Sequence, residues 1–181
     1  MGIEKSSQIR GLSLLLMVFF ISHINAQDSL LIKSHITKMS NAKTYTLQVA
    51  DLMPENVYSF KPVEGEMSFK EQLIHIGKNI YWLSSTYISE TDDPVRKMEL
   101  NVNDLTKDQV LKFVSGAYDY AISSFRAVDT RSLSKEFNWS GGKMNKIQFM
   151  NLIQDHQTHH RGQLMVYLRL NNLQPPRYIG W

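Results

Sequence analysis

Apolar residues recur at helical spacing in four separate stretches of this 181-residue chain, and no stretch shows the strict alternation of a half-buried strand. The first covers about residues 29–51, with Ile32, Ile36, Met39, Ala42 and Val49 on one face. It stops near Met53-Pro54, because a proline disfavours helix in the residue before it. The second opens on Ser68-Phe69-Lys70-Glu71, a capping box: the serine side chain accepts from a first-turn amide and the glutamate reaches back to the serine N–H. Phe69, Leu73, Ile76, Ile80, Leu83 and Tyr87 then form one stripe, which predicts helix to about Ser89. The third starts at Thr106, with Gln109 three residues on, and carries Leu111, Val114, Tyr118, Ile122 and Phe125. The fourth runs from near Asn145 to about Asn171 and turns Phe149, Ile153, His156, His160, Leu164 and Tyr167 to one side. Asn171-Asn172 can end it, and Pro175-Pro176 prevents its continuation.

Residues 55–66, 90–105 and 129–143 read as connections, the second long by ordinary standards and the third containing Gly141-Gly142. The tail Arg177–Trp181 has no assigned element. Helices of this kind are roughly 30 Å long and cannot bury their stripes alone. Packing side by side into an all-α four-helix bundle is the simplest solution.

The segment before the first stripe is different. Lys5 and Arg10 precede the apolar run Gly11–Ile21, and His23-Ile24-Asn25-Ala26 leads into polar Gln27-Asp28. These are the basic, apolar and small-residue regions of a secretory signal peptide, with cleavage expected after Ala26. The run falls short of the about 20 apolar residues that a membrane span needs. The expectation is a leader at 1–26, one domain at 27–181, export to the periplasm or the extracellular space, and no membrane attachment after cleavage. The formal charge of +3 falls by one when Lys5, Arg10 and Glu4 leave. The remaining basic residues are scattered, so nothing points to nucleic acid. With no cysteine, the chain has neither a disulfide framework nor a thiolate nucleophile, and any metal must be held by nitrogen and oxygen donors.

Candidate chemistry concentrates in Asp155-His156-Gln157-Thr158-His159-His160, which holds half of the six histidines. His156 and His160 lie one helical turn apart on the same face and interrupt its apolar stripe. Two imidazoles turned towards a core must find partners, either polar groups of neighbouring helices or a shared metal ion. A metal needs a third ligand, and His75 on the second helix is the natural candidate. It sits at the edge of its stripe with Gln72, Asn79 and Trp82, a flank that suits either a cleft mouth or open surface. His159 lies four residues after Asp155, which favours a pair on the helix flank. His35 has no partner motif and reads as packed or exposed, and His23 leaves with the leader. Arg161 is a candidate anion or helix-end contact, Glu71 a capping residue that could instead orient His75, and Tyr81 and Trp82 are read as core. Asn138-Trp139-Ser140 matches a glycosylation sequon, a pattern that short chance matches often produce.

Several segments carry a resemblance to a known family: Met53-Pro54-Glu55 with Tyr58-Ser59-Phe60-Lys61-Pro62, Met67-Ser68-Phe69-Lys70-Glu71-Gln72-Leu73-Ile74-His75-Ile76, Asp155–Leu164, Tyr167-Leu168-Arg169-Leu170 and Pro175-Pro176. The chain resembles the DinB-like (DinB/YfiT) superfamily, regarded as metalloenzymes, over about residues 29–178. The resemblance implies an up-down-down-up bundle, whose crossover the 90–105 connection fits. It also implies a metal triad of His75, His156 and His160, a divalent ion with zinc or nickel expected, and a homodimer. Three histidines leave coordination positions open. The reactions implied are a thiol-dependent transfer or hydrolysis by metal-activated water on a small-molecule substrate, and the alternative is a non-catalytic metal-binding protein. Low-molecular-weight thiols are kept reduced mainly inside cells, so export favours the hydrolase.

Overall fold

The computed structural model describes residues 28–98 and 100–181, and the expected leader with its cleavage site and His23 lies outside them. Four helices frame the molecule: α1 (Ile3–Leu52, followed here from Asp28), α2 (Phe69–Leu83), α3 (Lys107–Ala127) and α4 (Lys146–Leu170). Three of the starts are capping boxes. Ser68 pairs with Glu71, Thr106 with Gln109, and Asn145 with Gln148, each side chain satisfying the other residue's backbone N–H. Among the described residues, no helix is long and apolar enough to cross a membrane.

Cross-helix contacts set the topology. Thr46 meets Tyr118 while Lys107 meets Asp51, so α1 and α3 are antiparallel. Gln72 meets His160 while Met67 meets Tyr167, so α2 and α4 are antiparallel too. Lys70 reaches Leu105 and Ser89 reaches Ser124, so α2 and α3 run parallel. Gln154 faces His35 and Arg161 faces Thr46, so α1 and α4 also run parallel. The order is up-down-down-up. Two parallel neighbours joined in sequence need a crossover along the bundle, and residues 90–106 make it. Lys70 Nζ pins that strap by donating to Asn103 O at 3.1 Å and Leu105 O at 2.7 Å. Met39, Val49, Phe69, Leu73, Ile76, Val114, Phe125, Phe149 and Ile153 are fully buried between the four helices.

The helical path of the second stripe does reach Ser89, but its last six residues, Ser84–Ser89, widen into a π-helical turn. Glu90 then takes a left-handed backbone (φ 55°) and ends it, with Thr91 N–H donating to Ser85 O. The Glu90 carboxylate pairs with Lys135 and with Lys146, the latter at 3.0 Å. Lys146 is buried and also donates to Ile88 O at 2.8 Å. The end of α2 is thereby tied to the start of α4.

The stretch 129–143, expected to be irregular, holds a β-hairpin instead. β1 (Glu136–Trp139) pairs antiparallel with β2 (Gly142–Asn145), and Ser140-Gly141 make the tip. Gly142 has φ +128°, a backbone that a side chain would strain. Phe137 and Trp139 pack against Tyr87 and Phe149, which fastens the hairpin to the bundle.

Candidate metal centre

Because α2 and α4 run antiparallel as neighbours, residues early in α2 face the later turns of α4. That register sets His75 opposite the His156/His160 pair. The three rings are mutually adjacent, with centroids 4.9 Å (75–156), 4.4 Å (75–160) and 4.5 Å (156–160) apart. One nitrogen from each ring lies within 4.8 Å of the others. His75 Nε2 and His156 Nε2 are 3.2 Å apart. Two nitrogens each about 2.05 Å from a tetrahedral ion would be about 3.3 Å apart, so the spacing of this pair is compatible with a shared cation, as it is with an N–H···N hydrogen bond between the rings.

The hydrogen bonds fix the state of the third ring. His160 Nδ1 faces two amide oxygens, Gln72 Oε1 at 2.6 Å and Gln163 Oε1 at 3.2 Å. Neither oxygen can donate, so Nδ1 carries the proton and the lone pair is left on Nε2. A ligating histidine is commonly oriented in this way by a carbonyl or carboxylate partner. His156 Nδ1, by contrast, is buried with no partner among the described residues. Gln72 is fully buried and holds this position from α2, one turn before His75. Its role is not legible in the sequence, because it depends on the register between helices. Glu71 does not orient His75: its Oε2 accepts from Ser68 N–H at 2.6 Å and pairs with Lys61 at 3.3 Å.

The triad favours neutral imidazoles. His156 is pushed down to about 4, first by burial and then by the neighbouring rings of His160, His75 and His159. Burial also lowers His75, with the Lys78 charge adding to it, and lowers His160. His35 is lowered for the same first reason, since its ring is packed edge-on against Phe125. All four groups bind protons more readily in the unfolded chain than in the folded one. Stability of the metal-free protein therefore rises with pH across the window from about 4 to the ordinary histidine value of 6.5. Urea melts of metal-free protein should show the midpoint falling steadily as pH is lowered from 6.5 towards 4. An unchanged midpoint over that range would contradict neutral buried rings.

A cleft of about 340 Å³ reaches His75 and is walled by Lys78, Asn79, Trp82, Asp93, Val95, Arg96 and Met98. Trp82, read as core from the sequence, is 39% exposed and forms part of this wall. His159 contacts Gln163 at 3.4 Å and makes no pair with Asp155. Arg161 lies inside α4 and makes no helix-end contact. It is buried, donates to Thr46 Oγ1 and Thr158 Oγ1 (each 3.3 Å) and to Gln157, and lies 5.0 Å over the Tyr45 ring. Tyr118, whose hydroxyl donates to Gln157 Oε1 at 2.9 Å, completes a polar seam joining α1, α3 and α4. That seam holds α4 in register just beyond the histidines.

The arrangement defines a class: a helical bundle whose facing helices present imidazoles that could hold one metal ion. The DinB family model matches residues 32–178, and the chain belongs to that family. Among curated proteins it is similar to the uncharacterized protein YjoA of Bacillus subtilis (strain 168), 24% identical over 145 residues, which cover 76% of this chain and 87% of YjoA. Among solved structures it is similar to the DinB-like YjoA from Bacillus subtilis (TM-score 0.68, 18% identity, 81% of this chain and 97% of that one). A DinB-like protein from Bacillus cereus ATCC 10987 is also similar (TM-score 0.64, 16% identity, 81% and 96%). At these identities the solved structures bear on the fold alone.

Proposed function

We propose that this chain is an exported metal-dependent enzyme in which His75, His156 and His160 hold one divalent cation, zinc or nickel. The observation that carries this reading is the meeting of three ring nitrogens from two helices within 4.8 Å, with no thiolate in the chain and no carboxylate joining the cluster among the described residues. Nitrogen donors of this kind suit zinc, nickel and copper, and do not suit calcium or magnesium. A three-histidine set leaves a coordination position for an exchangeable ligand, as catalytic sites do. When bound, such an ion lowers the pKa of a coordinated water or thiol so that it is nucleophilic near neutral pH.

The protein's own residues supply the rest. Gln72 and Gln163 hold the His160 proton on Nδ1. The cleft against His75 admits a small molecule from the solvent side. Hydrolysis by activated water is the reaction that suits an exported protein, where small thiols are not kept reduced. Export through a leader at 1–26, a periplasmic or extracellular location and a homodimer belong to the same proposal.

Loading the protein with cobalt(II) tests the reading. Visible absorption bands of a low-coordinate nitrogen site should appear at one ion per chain, and should shift when azide or 2-mercaptoethanol is added. Bands that ignore both additives would leave a closed binding site and no enzyme.

A further inference from the structure

Among the described residues, the cleft beside His75 carries more positive than negative charge. Lys78 on α2 and Arg96 on the crossover both line it. The described carboxylate on its wall, Asp93, turns one oxygen into its own turn, where Oδ1 accepts the Val95 N–H at 3.0 Å, and the described lining thus sets two cations against one anion. Among the described residues, neither Lys78 nor Arg96 has a carboxylate within ion-pair distance, while seven other cations on the molecule do or share one. The three imidazoles beyond are neutral donors and offset none of the charge of a divalent ion. Asn79 Oδ1, on the same wall, is buried with no partner among the described residues and is open to a hydrogen-bond donor on the ligand. A volume of about 340 Å³ is that of a small-molecule site. A cleft whose described walls carry an excess of positive charge raises the local concentration of anions.

We infer that the ligand of this cleft is a small organic acid whose carboxylate is held by Lys78 and Arg96 while a second donor atom of the same molecule reaches the metal position at His75. This rests on the metal reading above and adds the substrate class to it. Arg96 offers a planar fork for two carboxylate oxygens, and Lys78, three residues after His75 on α2, a point charge. Trp82, half-exposed at the cleft wall, gives the apolar part of the ligand a flat face.

The test is a titration with 3-mercaptopropionate and with uncharged 2-mercaptoethanol, each followed by calorimetry on cobalt-loaded and on metal-free protein. Both probes offer the same sulfur, so their difference isolates the carboxylate. Cobalt-loaded wild type should bind the acid about tenfold more tightly than the neutral thiol, the worth of one charge-assisted hydrogen bond. The double variant Lys78→Gln/Arg96→Gln should take up cobalt as wild type does and lose the preference. Equal affinities in wild type, or a preference that survives in the variant, would overturn the inference and leave the metal reading intact. A protein that takes up no cobalt would instead defeat the metal reading. The carboxylate subsite is then judged on the metal-free titration, where a preference removed by the double substitution supports it and none overturns it.

Discussion

His156→Ala is expected to weaken divalent-metal binding by roughly a thousandfold, about a third of the free energy with which structural zinc sites hold their ion. The ring contributes one of three nitrogens, its Nε2 lies 3.2 Å from that of His75, and no other described histidine, aspartate or glutamate is placed to replace it. His159 is a neighbour in sequence, but it is exposed and turned to Gln163. Gln72→Leu should have a smaller effect of the same sign, about ten- to a hundredfold, because it removes the acceptor that fixes the His160 ring without removing a ligand. The metal-free variants should behave differently. Removing His156 takes away a ring whose proton affinity is depressed to about 4 by burial, so its metal-free form should lose less stability on acidification than wild type. Competition titrations with a chromophoric chelator measure the first effect and urea melts at several pH values the second. Wild-type metal affinity in His156→Ala would remove that ring from the site.

Phe149→Ala should cost about 3–5 kcal/mol of folding stability, the range for truncating a buried aromatic residue. Phe149 is fully buried in the first turn of α4 and stacks face to face on Tyr87 (3.9 Å, 4°). Trp139 meets it edge-on at 5.4 Å and Phe137 at 6.0 Å. One substitution therefore empties the contact between the hairpin, the π-helical end of α2 and the start of α4. Packed aromatic pairs contribute beyond their buried area. Val166→Ala on the exposed side of α4 is the control, with a change within about 0.5 kcal/mol. Chemical denaturation of the two variants reads the difference, and a Phe149→Ala loss no larger than that of Val166→Ala would contradict this packing.

The parts of the fold that were legible in the sequence are those set by local chemistry. Ser68/Glu71 and Thr106/Gln109 mark helix starts because a cap is built from residues three apart. The shared face of His156 and His160 follows from one helical turn. The parts that were not legible depend on distant residues meeting. Gln72 reads as one more polar residue on a stripe edge until α2 and α4 are set in register and its oxygen reaches His160. Arg161 reads as a candidate anion or helix-end contact, and only the packing of α1 shows it buried against Thr46 and Tyr45. The hairpin strands are four residues each, too short for alternation to stand out, and only contact with Tyr87 and Phe149 orders Phe137 and Trp139. Trp82 reads as core by residue type, although it shares the His75 flank, and the crossover leaves it at the cleft wall.

A crystal of the protein grown with zinc, with anomalous data collected on either side of the zinc absorption edge, addresses the triad directly. One zinc peak per chain is expected, bonded at about 2.0–2.1 Å to nitrogens of His75, His156 and His160, with a non-protein ligand completing the shell. A zinc ion held elsewhere, or a vacant triad with the His75 ring turned to solvent, would contradict the account.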